Sequence, residues 1–255
     1  MPKILITNDD GIFAPGIQAL WEALRGHADV TIVAPSSQKS GVGAAITIRQ
    51  PLRVEAIDKF EGTKAWSVGG TPADCVKMAL GVLMDSPPDL VVSGINQGSN
   101  AARSVLCSGT VGGAIEATMH AIPGIAFSCY EFHTPNYEAA ASFTVPIVDY
   151  ILKHPLKEGV LLNVNFPCLH APYKGIKWAL QGRQYWVDKP IQDGDHFWIE
   201  SKELKFEEHA ESDIAYLEKG YVTATPIKVT ELTCHDHYKA RKTHFESFFS
   251  LPVTK

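Results

Sequence analysis

The chain has 255 residues, 45% of them hydrophobic and 20% charged, enough to bury a substantial core, which excludes disorder over most of its length. Its net charge of −5 comes from 23 basic and 28 acidic residues without any block of five like charges, so nothing marks it as a nucleic-acid scaffold. Five widely spaced cysteines with no CxxC pair argue against a disulfide frame or zinc site and fit reduced thiols of a cytoplasmic protein; no apolar run has the length of a membrane span or signal peptide.

In chain order, residues 3–7 (KILIT) read as a buried strand. Residues 16–25 read as a helix with Ile17, Leu20, Trp21 and Leu24 along one face, and 30–34 as a second strand. Short connections between strand, helix and strand predict a right-handed parallel crossover. Helix is then expected over 73–84, strand over 89–92, helix over 111–120, strand over 125–128, a longer helix over 137–152 and strand over 160–165. Thr71 and Pro72 suit the N-cap and first position of the helix that follows them. Near-continuous apolar strands suit a mainly parallel sheet covered on both faces, so the expected class is α/β. After Pro167 the period is lost. Residues 173–208 mix charges and glycines with Tyr185, Trp186, Phe197 and Trp198, as expected either of an arm docking on a partner subunit or of an elaboration packed on its own core. A short helix (213–217), a late strand (221–226) and a C-terminal helix (235–249) complete the pattern.

Chemistry in such a sheet collects where the strands end at their carboxyl side. The first strand ends in Asn8-Asp9-Asp10-Gly11, two adjacent carboxylates that repel unless a cation sits between them. A helix cap with a solvated neighbour is the alternative. All-oxygen ligation favours magnesium, manganese or calcium over zinc. The second strand exits into SSQKSGVGAAIT, with Ser40-Gly41 at its centre, and the strand at 89–92 exits into SGINQGSN, which carries Asn96 and Asn100. Ser108-Gly109-Thr110 opens a helix whose free amides and dipole suit a phosphate, or which Ser or Thr simply caps. A hard cation beside a phosphate site points to metal-assisted hydrolysis of a phosphate ester. His235-Asp236-His237 lacks a third ligand and reads as solvated.

Five stretches in order, ILITNDDGIFAPGI, GGTPADCVKMAL, SGINQGSN, CSGTVGGAIEAT and SDIAYLEKGYVTATP, resemble the SurE family of metal-dependent nucleoside monophosphate phosphatases. The resemblance implies one divalent cation per subunit, Mg²⁺ or Mn²⁺, held by Asp9, Asp10, Ser40 and Asn96, with Asp9 and Asp10 catalytic. It places Asn8, Gly41, Asn100, Ser108, Gly109 and Thr110 on the substrate and phosphate side. It implies a Rossmann-like three-layer core at about 1–167, and a β-rich extension at about 168–255 that swaps between subunits of a homodimer or homotetramer, all in one domain. The expected substrate is a nucleoside monophosphate, hydrolysed as a 5′-nucleotidase with 3′-nucleotidase and exopolyphosphatase activities open; a non-catalytic nucleotide-binding regulator is the alternative. Two departures bear on substrate preference. Gly43 and Ala45 stand where the family usually carries serines, and AARSVLC replaces its usual glycine, acidic and tyrosine run before Ser108.

Two other functions are disfavoured. A receiver domain would need a phosphoacceptor Asp and a Lys at strand ends that here read Val92-Ser93-Gly94 and Ser128-Cys129-Tyr130, and a dinucleotide-binding protein would need GxGxxG after the first strand.

Overall fold

The computed structural model describes residues 1–168, 172–204 and 206–249. Residues 169–171, 205 and 250–255 of the expected extension lie outside the described residues.

Six strands form the parallel centre: β1 (Lys3–Thr7), β2 (Asp29–Pro35), β4 (Lys64–Val68), β5 (Leu90–Gln97), β6 (Gly124–Cys129) and β7 (Val160–Phe166). Together with β3 (Val54–Ala56), β8 (Ile176–Trp178) and β11 (Val222–Lys228) they make one sheet in the order β3-β4-β2-β1-β5-β6-β7-β11-β8. From β1 the chain winds outward through β2 and β4, then crosses back to continue on the other side through β5, β6 and β7. The direction reverses between β1 and β5, and the crevice at their carboxyl ends is where such a sheet takes a ligand.

Alternation along β1 explains both layers. Ile4 and Ile6 join one buried cluster with Ile17, Leu20 and Trp21 of α1 (Pro15–Leu24) and Val148 of α4 (Tyr137–Lys153). Leu5 points the other way, into a cluster with Cys75 and Val76 of α2 (Pro72–Met78) and Ala117 of α3 (Gly109–Met119). A period of two on a sheet covered twice therefore leaves no polar face, which accounts for the unbroken ILI run.

The expected parallel core is present, with two differences. The strand expected to stop at Val92 continues to Gln97 through an irregularity between Ser93 and Asn96, where Gly94 adopts φ 135, so its polar SGINQ end escapes an apolar criterion. The helix expected over 73–84 is α-helical only to Met78, and Ala79–Leu83 forms a wider π turn. Beyond the core, β9 (Tyr185–Asp193) and β10 (His196–Leu204) pair as an antiparallel hairpin outside the main sheet, and Trp186, Phe197 and Trp198 are exposed on it. The hairpin is followed by α5 (Asp213–Glu218) and, after β11, by α6 (His235–Phe248), which buries no residue. Among the described residues no helix is long and apolar enough to cross a membrane.

Thr71 caps α2 as expected and Pro72 opens it, but the cap also holds a loop. Asp74 accepts from Thr71 N at 2.9 Å, from Thr47 N at 2.8 Å and from the Thr47 hydroxyl at 2.7 Å, while Thr71 Oγ1 donates to Ala45 O at 2.6 Å. Burial pushes the Asp74 carboxyl up, but these hydrogen bonds outweigh it and hold the group below the usual carboxylate range. A depressed folded-state value contributes stability above the ordinary carboxyl value near 4 and loses it as pH falls through the folded one. Asp74→Ala should therefore cost about 3 kcal/mol at neutral pH, the sum of a cap and charge-assisted bonds. Urea midpoints of mutant and parent should converge in acid.

Candidate active site

The acidic turn sits at the crevice. Asn8 closes it by donating Nδ2 to Gly11 O at 2.9 Å, and Gly11 takes φ 100, a conformation that glycine adopts without strain. Ile12 N donates to Pro35 O at 2.9 Å and Lys39 N to Asp9 O at 2.6 Å, so the loop carrying Ser40 and Gly41 is tied to the turn. Ser40 itself is exposed and accepts from Gln38 Nε2 at 3.0 Å. The two carboxylates diverge. Asp9 turns to α3, where its Oδ1 accepts the Thr110 hydroxyl, and Asp10 turns to β5, where its Oδ2 accepts Gln97 N at 3.0 Å.

Both acids are perturbed in the same direction. Burial raises Asp9, 3% exposed, against the opposing bonds from Thr110 and Gly109. Burial also pushes Asp10 up to about 6, with the Gln97 amide opposing and the Asp9 charge adding to the rise. Among the described residues no Lys, Arg or His forms an ion pair with either. Two repelling carboxylates held together without a protein cation make a site suited to a bound one. No three His, Cys, Asp or Glu side chains converge among the described residues, so the donors available beside this pair are neutral oxygens. His235 and His237 lie exposed in the first turn of α6.

The remaining candidates divide. Asn96 lies at the end of β5 and donates Nδ2 to Gly98 O at 2.7 Å, which fixes its amide so that Oδ1 is left as an acceptor. Asn100 is 5% exposed and held on every side: its N–H donates to Asn165 Oδ1 at 2.9 Å, its carbonyl accepts Asn163 Nδ2 at 2.8 Å, and its Nδ2 donates to Ser128 Oγ at 2.7 Å. Ser108 is the N-cap of α3, accepting Val111 N at 3.1 Å, so the capping role is realised here. Thr110 directs its hydroxyl to Asp9, which makes it a partner of the carboxylate as well as a neighbour of any phosphate. Gly43 N donates to Cys107 O at 2.9 Å, joining the two segments in which the sequence departs from the family pattern.

Sequence reasoning missed two features. Asn163 and Asn165 position Asn100, and their alternation inside the apolar strand VLLNVNF was a readable signal, since a buried amide needs a partner. A cavity of about 660 Å³ lies at the ends of β6 and β7, lined by Cys129, Glu131, Asn136, Tyr137, Cys168 and Tyr173. It adjoins the acidic turn through Tyr137, whose phenol is raised by burial and by the Asp10 charge. No local pattern announces it, because its walls come from segments distant in sequence.

The family model described as "Survival protein SurE" matches residues 4–188. The chain belongs to the SurE family. It is 44% identical to the 5′-nucleotidase SurE of Protochlamydia amoebophila, with 97% of this chain and 98% of that protein aligned. The corresponding figures for the 5′-nucleotidase SurE of Christiangramia forsetii are 42%, 93% and 95%. The crystal structure of the SurE protein from Aquifex aeolicus superposes with a TM-score of 0.84 at 37% identity, covering 96% of this chain and all of that one.

Proposed function

We propose that the protein is a metal-dependent phosphatase that hydrolyses nucleoside monophosphates, acting as a 5′-nucleotidase. The observation that carries this reading is the Asp9–Asp10 pair, Asp9 buried and Asp10 partly so, which no cation among the described residues pairs, beside the N-terminus of α3 at the sheet's switch point. Its SurE-named relatives support the substrate class.

The donor set fits one Mg²⁺ or Mn²⁺ ion. Asp9, Asp10, Asn96 and Ser40 would hold it, all through oxygen. When bound, such an ion supplies charge neutralisation of the phosphoryl oxygens. This chain's own residues do the rest. The α3 N-terminus presents amides and dipole to the phosphate, Asn100 and Ser108 line that side, and Thr110 fixes the orientation of Asp9. The cavity beside Tyr137 gives the nucleoside room on the Asp10 side. A water or the Asp9 carboxylate attacks the phosphorus as the P–O bond to the nucleoside breaks and the nucleoside leaves as its alcohol, taking up a proton; on the second route water then hydrolyses the aspartyl-phosphate, and trapping that phosphoenzyme separates the two.

The unit is proposed to be one domain in a cytoplasmic homo-oligomer. The exposed aromatic residues of the β9–β10 hairpin and the wholly exposed α6 support oligomerisation, and the free thiols of Cys75 and Cys129 support a reducing compartment. The test is phosphate release from a panel of nucleoside monophosphates. EDTA should abolish it, and added Mg²⁺ or Mn²⁺ should restore it; release that is indifferent to EDTA would refute the metal.

A further inference from the structure

Asn100 and Ser108 are joined by a segment that forms a short 3₁₀ helix at Ala102–Leu106, and the entry to that helix is tied by hydrogen bonds to distant residues. Ala102, 2% exposed, takes φ 49, a left-handed conformation costly for any residue with a Cβ, and so needs support from its surroundings. That support comes from residues far along the chain. Ala102 N donates to Asp213 Oδ2 at 2.8 Å, Ala102 O accepts Gln181 Nε2 at 2.8 Å, and Arg103 N donates to Gln184 O at 3.1 Å. Asp213 is fully buried, and its other oxygen accepts Gly182 N and Ile214 N, each at 2.8 Å. One carboxylate therefore gathers three backbone donors, from the phosphate-side segment, the segment entering the hairpin, and α5. Arg103 adds a second tie, its guanidinium standing 5.2 Å from the Tyr185 ring and 5.5 Å from that of Phe206 at the base of the hairpin.

We propose that Asp213 is a positioning residue for the phosphate side of the site: it touches no substrate, and it holds Ala102 in the left-handed conformation that opens the short 3₁₀ helix Ala102–Leu106, and so presents Asn100 and Ser108 at the two ends of this segment. The inference rests on the phosphatase reading above and extends it to a residue beyond the 4–188 span of the family model. Ser212 caps the helix through Ala215 N at 3.1 Å, whereas Asp213 reaches across to the loop.

The geometry offers a selective test. In Asp213→Asn one amide oxygen can still accept Gly182 and Ile214, but the NH₂ group then faces the Ala102 N–H, and two donors cannot bond. The comparison is Ser212→Ala, which loosens the same helix start and leaves the latch alone. With AMP and saturating Mn²⁺ on the full-length protein, Asp213→Asn should lower kcat/KM at least tenfold. It should raise the inhibition constant of inorganic phosphate in parallel and leave the Mn²⁺ half-saturation within twofold of the parent. Ser212→Ala should lower Tm with kcat/KM unchanged. Unchanged kcat/KM and phosphate inhibition in Asp213→Asn would overturn the proposal, as would an equal loss in Ser212→Ala. Should Asp213→Asn fail to fold, Gln181→Ala releases the same residue, at its carbonyl, more gently and should lower kcat/KM at least threefold; no change there would also overturn it. If the parent protein releases no phosphate from any nucleoside monophosphate, the proposed activity fails and the latch is judged by amide hydrogen exchange. Exchange over 100–106 must then quicken in Asp213→Asn and not in Ser212→Ala, and equal exchange in both would refute it.

Discussion

Asp9→Asn is expected to remove metal-dependent phosphate release while making the metal-free protein more stable. The amide keeps the volume and the Oδ1 acceptor for the Thr110 hydroxyl, so the fold around it is preserved. What it loses is the charge that recruits the cation. A fall in kcat/KM of at least ~10³-fold, about 4 kcal/mol at 1.36 kcal/mol per decade, is expected, with a large rise in Mn²⁺ half-saturation. The stability effect has the opposite sign because burial raises the Asp9 carboxyl above its ordinary value and so penalises the charged form in the folded state. For a raised carboxyl that penalty is absent in acid and develops as pH rises from the ordinary value through the folded one. The gain from Asn should therefore appear at neutral pH and vanish in acid. Relief of about 1 kcal/mol would raise Tm by roughly 2–4 °C in a chain of this length. Mn²⁺ should raise the parent's Tm by mass action and leave the mutant's unmoved. A mutant that is destabilised and still active would contradict both halves of the argument.

The sign of that trade accounts for what the sequence could reveal. NDDG was legible because it breaks a rule: an apolar strand has no structural use for two carboxylates at its end, so the fault itself points to a cation. The parallel core was legible for the converse reason, since β1, β2, β6 and β7 are buried on both faces and are mainly apolar. The polar end of β5 was not, because Asn96 and Gln97 are paired with Ser128 and Cys129 by backbone bonds that no side-chain period records. Long-range support was the least visible of all. Asn165 meets Asn100 across 65 positions and Asp213 meets Ala102 across 111, and nothing local to either residue names its partner. The motif containing Asp213 was recognisable as a family feature, but its role followed only from the three donors around it.

Gly109 carries the other large expected effect, and it separates the site from the fold. A Cβ at this position would lie 2.8 Å from Asp9 Cβ, 2.9 Å from Asp9 Oδ2 and 3.0 Å from Val42 Cγ2. Its backbone is not in the left-handed region, and at the first position of α3 alanine would ordinarily stabilise a helix by a few tenths to 1 kcal/mol. The collision therefore falls on Asp9 alone among groups that cannot yield. Val42 belongs to the loop carrying Ser40 and can move aside, whereas Asp9 Oδ1 is fixed by Thr110 and its backbone oxygen by Lys39 N. Gly109→Ala should turn the carboxylate out of place, lowering kcat/KM by on the order of 10²-fold or more, about 3 kcal/mol, and raising the Mn²⁺ half-saturation, with Tm within a few degrees of the parent. Adding Val42→Ala should not rescue it, because the contacts with Asp9 Cβ and Oδ2 remain. Rescue by that second change would mean that loop packing, and not the placement of Asp9, is what the glycine protects.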